Sequence, residues 1–367
     1  MLVAVCRVSK PSGVWPSSRA PSTAGGNALA SSAAASVVGA AASVAGGGSS
    51  SPPHAAAARA STTNKAEMRR IGADYDLQRR EERYTVKFGM TLANTGPQVD
   101  GETAIAYAQE AEQAGFESLW TVEHVVVPEG YQTPYPYAED GKMPGKRDDI
   151  DIPDPLMWMA FVASVTSEIK LGTGVLIVPQ RNFAVTAKAI ATLDRLSQGR
   201  VLLGVGAGWL EEEFDALGVP FADRGDITDE HLGAYRALWQ QDVCSFDGEH
   251  VSFDRVYCRP QPSGHIPIIV GGDSKRAARR AGEHGDGFFP VSGDLDEMAM
   301  LFDHAKRCAE KAGRDPDKLD FTTIGAATPE WVEKYAAIGI TRLITNPMSR
   351  SRFDEFSRDI ITAYADA

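Results

Sequence analysis

An acid and an imidazole stand side by side at the end of an apolar run, Ser118-Leu119-Trp120-Thr121-Val122-Glu123-His124. Histidine changes charge near neutral pH, so His124 could give a proton or a hydrogen bond to a bound ring, with Glu123 as its acidic neighbour. A lone histidine at a strand end also serves as a structural hydrogen-bonding residue, and a lone glutamate as a solvated acid. Both readings stay open on these residues alone. In Thr173-Gly174-Val175 the backbone can approach a flat ligand closely, because Gly174 has no side chain; a glycine kept for packing is the other reading.

Two further glycine clusters invite a phosphate. Gly204, Gly206 and Gly208 imitate a dinucleotide fingerprint, but the third spacing fails and Trp209 follows where a helix should open, so that fingerprint is absent. Ile266-Pro267-Ile268-Ile269-Val270-Gly271-Gly272-Asp273-Ser274 is different: a strand ends in two glycines directly before a helix carrying Arg276, Arg279 and Arg280. Free amides at a helix start and the Ser274 hydroxyl make an anion site, although a capped glycine turn has the same composition. The segment Val125 to Pro153 is long for a connection and carries Tyr131, Tyr135, Tyr137 and Met143 among prolines and charges. Loops of that length are uncommon unless functional. A lid over the site is expected, with an oligomer contact as the alternative. The run Glu211-Glu212-Glu213 reads as a solvated helix face.

These groups need a scaffold, and the pattern supplies one. Strands are expected at Lys87–Leu92, Ser118–His124, Val175–Val178, Arg200–Val205, Ile266–Gly272, Gly287–Val291, Phe321–Ile324 and Arg342–Thr345. Helical periodicity falls between them, at Gly101–Gly115, Asp154–Ser167, Ala184–Ser197, Ser274–His284, Asp294–Ala312 and from Pro329, with Phe353–Ala365 as a closing helix. Strands alternating with helices over roughly 280 residues have the rhythm of an α/β (β/α)8 TIM barrel, with a long loop after the second strand. An open doubly wound sheet would carry its glycine fingerprint after the first strand, and Thr91-Leu92-Ala93-Asn94-Thr95-Gly96 does not.

Residues 86–367 therefore form the expected barrel domain, and residues 1–85 an expected disordered extension of Ala, Ser, Gly and Pro. Ala33–Ala45 imitates the apolar core of a signal peptide, but it starts late and is alanine-weak. A start at Val86, where the first strand begins abruptly, is a competing expectation; tail peptides in the mass spectrum of the native protein would refute it. The extension has a net charge of +5, so with −12 on the whole chain the barrel carries −17. That balance argues against nucleic acid and anionic membranes as partners. Cys6, Cys244, Cys258 and Cys308 show no metal or redox spacing, which points to a reducing cytoplasm and to no metal.

Three long segments then carry a resemblance: LGTGVLIVPQRN, LDRLSQGRVLLGVGAGWLEEEFDALGVPFADRG and RPQPSGHIPIIVGGDSKRAARRAGEHGDGF. Together they resemble the luciferase-like flavin-dependent superfamily, and within it the coenzyme F420-dependent oxidoreductases, over Val86 to Ala367. The resemblance implies that His124 serves as acid or orienting donor near the deazaflavin ring and that Glu123 is the acidic neighbour. It implies that Gly174-Val175 is a non-prolyl cis peptide forming a bulge behind that ring. Ala207 and Gly208 would run alongside the cofactor, and Gly271, Gly272 and Ser274 would hold its phosphate. One departure matters: sugar-phosphate dehydrogenases of the family have a catalytic Glu where this chain has Trp209. Sugar-phosphate oxidation is then unexpected, and Trp209 with Tyr131 and Tyr135 is expected to wall an apolar substrate pocket. The expected activity is hydride transfer between F420 and a small organic substrate, reducing an activated double bond, by a homodimer. The alternatives are an FMN-dependent monooxygenase fed with reduced flavin, or a barrel that binds flavin without turnover.

Overall fold

The computed structural model describes residues 85–291 and 293–364; the expectations for the N-terminal extension lie outside them, apart from Thr85. Strands β1 (Lys87–Met90), β2 (Ser118–Thr121), β3 (Lys170–Thr173), β5 (Val201–Gly206), β8 (Ile268–Gly271), β9 (Gly287–Phe289), β10 (Asp320–Ile324) and β11 (Arg342–Thr345) are all parallel. The order β3-β2-β1-β11-β10-β9-β8-β5 closes through a β3–β5 pairing, Leu171 to Val201 and Gly172 to Leu202. The chain is a (β/α)8 barrel.

Three features depart from the expectation. The third barrel strand is Lys170–Thr173, not the β-branched run at Val175–Val178. Of that run only Leu176–Ile177 is a strand, β4, which continues beside the end of β5 before a 3-10 turn at Val178–Gln180. Hydrophobic content misled here, because Lys170 and Gly172 dilute a segment whose barrel place is fixed by its neighbours β2 and β5. An antiparallel hairpin, β6 (Cys244–Asp247) with β7 (Ser252–Val256), interrupts the rhythm before β8. Its side chains are largely half-buried or exposed, so it leaves no apolar signature to read. The closing helix also breaks into a short helix at Phe353–Phe356, a π turn at Ser357–Ile361 and a last turn at Thr362–Tyr364.

Helix starts follow their caps. Asp154 accepts from Met157 N at 2.9 Å and Pro155 opens the helix Pro155–Ala163. Asn182 accepts from Ala184 N and Val185 N, both at 3.1 Å, at the head of Phe183–Leu196. Inside the barrel, Trp120, Leu202, Ile269, Phe289 and Ile344 form a packed plug, with Val175, Val291 and Ile324 against it. At the N-terminal end of the strands Arg342 spans the wall. Its guanidinium donates to Glu117 by two bonds of 3.0 Å and to Asp320 at 2.8 Å. Among the described residues no helix is long and apolar enough to cross a membrane.

Candidate active site

The C-terminal ends of the strands carry the chemistry-bearing residues. His124 lies three residues beyond β2, and its Nδ1 is 2.8 Å from Glu213 Oε2. The other oxygen of Glu213 accepts from Val125 N at 2.6 Å and Val126 N at 3.2 Å. The Glu213 side chain is fully buried. The solvated reading of the acidic run is thus wrong for Glu213, the third residue of the helix Glu211–Leu217. Glu212 is also engaged: its Oε1 accepts from Gln132 N at 2.7 Å and Thr133 N at 3.1 Å. The Thr133 hydroxyl first, and then these amides, draw its carboxyl down to about 2. Only Glu211 faces solvent. The sequence did hold a signal. Leu210, Glu213, Phe214 and Leu217 fall at helical spacing, so position 213 shares the apolar side of its helix, where a carboxylate needs partners.

Glu123 points away from this group. Its Oε2 accepts from Ile177 N at 2.6 Å and its Oε1 from Arg181 Nε at 2.6 Å. Arg181 continues to Asp154 Oδ2 at 2.6 Å. Burial pushes the Glu123 carboxyl up, and Arg181 and the Ile177 amide pull it back without cancelling the rise. Glu123 therefore clamps the ends of β2 and β4 together and orients the backbone of its neighbour His124. Arg181 is a residue the sequence reading passed over.

Aromatic rings collect on Trp209. His124, Tyr131 and Tyr135 all meet it edge-to-face, with centroids at 5.8, 5.6 and 5.3 Å. Edge-to-face contact of this kind places the positive rim of one ring on the negative face of another. Tyr131, Met143 and Leu210 form a small core of their own with Val127, Tyr135 and Trp209 at its border. The Tyr131 hydroxyl accepts from Met143 N at 3.0 Å. The long loop is thus tied to the residues after β5 by Glu212, Glu213 and this cluster. Burial, then the charge of Asp273 on the β8 loop, raises the hydroxyl of half-exposed Tyr137 to about 12.

The remaining expected residues line the same end of the barrel. The Gly174–Val175 peptide is cis. Val175 fills the notch left by two glycines: a methyl group at Gly206 would lie 2.6 Å from its Cγ2, and one at Gly271 would lie 2.7 Å from its Cγ1. The tips of β5 and β8 are bare so that Val175 can stand between them. Ala207 and Gly208 continue from β5, and Gly208, at φ +86°, accepts from Arg224 Nε at 3.2 Å through its carbonyl. Ser274 caps the helix Lys275–His284, accepting from Ala277 N at 3.1 Å. Gly272, at φ +123°, makes the turn before it. Burial lowers the Arg224 guanidinium, and Arg276 at the helix start adds to this against the opposing pull of Glu211. Ser274 and the first-turn amides are donors of the kind a phosphate takes, and Arg276 on the same helix is felt by the Arg224 guanidinium. Two cavities of about 300 and 320 Å³ lie elsewhere, around His265 and Asp286 near the opposite end of the strands. They contain none of these residues, and barrel chemistry belongs to the C-terminal end.

The family model for luciferase-like monooxygenases matches residues 86–338. The chain belongs to the luciferase-like monooxygenase family. Among its relatives in that family, an uncharacterised protein of Mycobacterium tuberculosis is 33% identical over 258 residues, 69% of this chain and 90% of the relative. An F420-dependent glucose-6-phosphate dehydrogenase of Nocardia farcinica is 34% identical over 227 residues, 60% of this chain and 67% of the dehydrogenase. The solved structure of an F420-dependent secondary alcohol dehydrogenase with an F420-acetone adduct superposes with a TM-score of 0.63. At 20% identity, over 77% of this chain and all of that one, the likeness is one of fold. Family membership makes the chain an oxidoreductase of the luciferase-like type.

Proposed function

We propose that the protein transfers a hydride between coenzyme F420 and a small organic substrate, reducing an activated double bond. The observation that carries this reading is the His124–Trp209 corner at the barrel mouth, closed by Tyr131 and Tyr135 and set beside the Val175 bulge. When bound, F420 supplies the hydride acceptor or donor, and the protein's task is positioning. Val175 gives a rigid apolar wall for one face of a flat ring. His124, with Nδ1 engaged by Glu213, keeps Nε2 for a proton or a hydrogen bond to the bound molecules. Glu123 acts by fixing the strand end through Arg181 and Ile177. Gly271, Gly272 and Ser274 hold the phosphate of the cofactor tail, and Ala207 and Gly208 run along it.

Trp209 sets the substrate class. A wall of aromatic edges favours apolar, planar molecules, and Trp209 itself supplies no carboxylate to accept the proton of a sugar hydroxyl. The activity in the name of the Nocardia relative is therefore not assigned to this chain. A second reading follows from the family's own description: FMN-dependent oxygenation with reduced flavin supplied from outside. Titration of the full chain with F420 and separately with FMN, followed by fluorescence and calorimetry, tests the choice. Tight F420 binding with negligible FMN binding is expected. Preference for FMN would move the protein to the monooxygenases, and binding of neither would overturn the cofactor assignment. A homodimer is proposed as the working assembly. The exposed Met157 and Phe161, on a helix apolar on all its faces, support it, and light scattering at a monomer mass would refute it.

A further inference from the structure

Glu213 is a buried carboxylate whose two oxygens have different tasks. Oε1 takes the Val125 and Val126 amides, and Oε2 takes the His124 ring. We infer that Glu213 is a positioning residue that sets the tautomer of His124, holding the proton on Nδ1 and leaving Nε2 as the basic nitrogen. The inference rests on the proposed site and adds a named controller to its acid–base group. A carboxylate only accepts hydrogen bonds, so a neutral imidazole facing it through Nδ1 must carry its proton there. Among the described residues no hydrogen bond engages Nε2, which is the nitrogen left for a ligand. Glu213 also fixes where the loop leaves β2, because the same side chain holds the amides immediately after His124. Tautomer and loop root are set by one group, 89 positions away in sequence.

The two backbone amides make a sharp test possible. In Glu213→Gln they still require an acceptor, so the new carbonyl oxygen must face Val125 and Val126. The amide NH2 then faces His124 Nδ1 and donates to it, which drives the ring proton to Nε2. A near-isosteric change thereby reverses the tautomer while keeping the loop anchored. A histidine held in the wrong tautomer loses rate with its geometry intact, by orders of magnitude where it acts as the base.

The experiment is long-range 15N–1H correlation of the imidazole rings in the labelled full chain, with His124 assigned by its loss in His124→Asn. The wild type is expected to show a protonated Nδ1 and an unprotonated Nε2 in the neutral ring, and Glu213→Gln the reverse. Turnover in Glu213→Gln should fall by at least about tenfold with cofactor affinity changed less than about twofold. A wild-type ring protonated on Nε2 would overturn the inference, as would a folded Glu213→Gln that keeps the wild-type tautomer. If the variant does not fold, the wild-type spectrum decides alone. The spectra need no cofactor, so a protein binding neither F420 nor FMN would sink the proposed function and leave the tautomer result standing.

Discussion

The indole of Trp120 occupies the space where a side chain at Gly172 would lie: a methyl group at position 172 would sit 2.6 Å from Trp120 Cδ2 and 2.7 Å from Cε3. Trp120 is completely buried, and its Nε1 donates to Ser118 Oγ at 2.8 Å. The glycine in β3 is the space this plug needs, and the plug is the floor beneath Gly174 and Val175. Gly172→Ala should therefore overpack the barrel and destabilise it by about 1–3 kcal/mol in urea unfolding. Combining it with Trp120→Phe should recover at least about 0.5 kcal/mol relative to the sum of the single changes. Strict additivity would show that the two positions do not compete for the same space.

Arg342 holds three parts of the barrel wall at the opposite end, and its side chain is buried while Glu117 and Asp320 are partly exposed. Arg342→Ala should cost about 3 kcal/mol, since it strands two acids that the guanidinium now satisfies. The pH dependence follows. Burial raises the Asp320 carboxyl, and Arg342 and Thr341 outweigh it, so its folded value lies below the ordinary 3.8. A depressed acid contributes stability above the unfolded value and loses it as pH falls through the folded one. In the wild type this contribution persists down to about pH 4. In Arg342→Ala, burial acts with less opposition, so the acid limb of the stability curve should begin at higher pH. An unchanged acid limb would mean that Arg342 does not set the Asp320 pKa.

Glu212 ties the tyrosine-bearing loop to the helix after Trp209 through the Gln132 and Thr133 amides. Its carboxyl is lowered from 4.5 to about 2. The tether is accordingly at full strength above pH 4.5 and fades between 4.5 and 2. Tryptophan emission sensitive to Tyr131 and Tyr135 contact with Trp209 should change over that window before global unfolding. Glu212→Gln should produce the altered emission already at neutral pH, because an amide accepts these bonds more weakly. Identical emission in variant and wild type would place the loop's anchorage in the aromatic cluster instead.

How much of this was legible follows from what each signal reports. The barrel was readable because seven of the eight wall strands fall in short segments with apolar residues set between helical periods, as expected. β3 was not, since its membership is decided by β2 and β5 on either side. His124, Trp209, Tyr131 and Tyr135 could be singled out as residue types, and the structure does bring them together. Helical spacing put Glu213 on an apolar face, but nothing local named His124 as its partner 89 positions away, nor Arg181 as the partner of Glu123 58 positions away. Gly206 was read only as part of a dinucleotide fingerprint that fails, and Gly271 as a phosphate holder, whereas both also leave the space that the Val175 side chain fills. A glycine in sequence announces an absent side chain and not what takes its place.

His124→Ala separates chemistry from binding. The ring touches Trp209 and Glu213, so its removal loosens the corner but leaves the β8 loop and its donor set untouched. Turnover should fall by about 10²–10⁴, the range of a general acid or base, with F420 affinity changed much less. A normal rate would remove the catalytic role and leave His124 as a wedge under the loop.

Gly272 offers the matching test of the phosphate site, and its backbone dictates the control. At φ +123° any side chain is strained, and a methyl group would lie 3.3 Å from Ala277 Cβ. Gly272→Asp alone would confound that strain with charge. Gly272→Ala carries the strain only, so the difference between the two variants isolates the carboxylate. With a phosphate held by Ser274 and the helix start, Gly272→Asp should bind F420 at least about a hundredfold more weakly than Gly272→Ala, a coupling of about 3 kcal/mol between like charges in a half-dry pocket. Added salt should narrow the gap, since screening acts on the charge and not on the strain. Equal affinities in the two variants would place the phosphate away from this loop, and the two guanidinium groups of Arg224 and Arg276 would be the next positions to change.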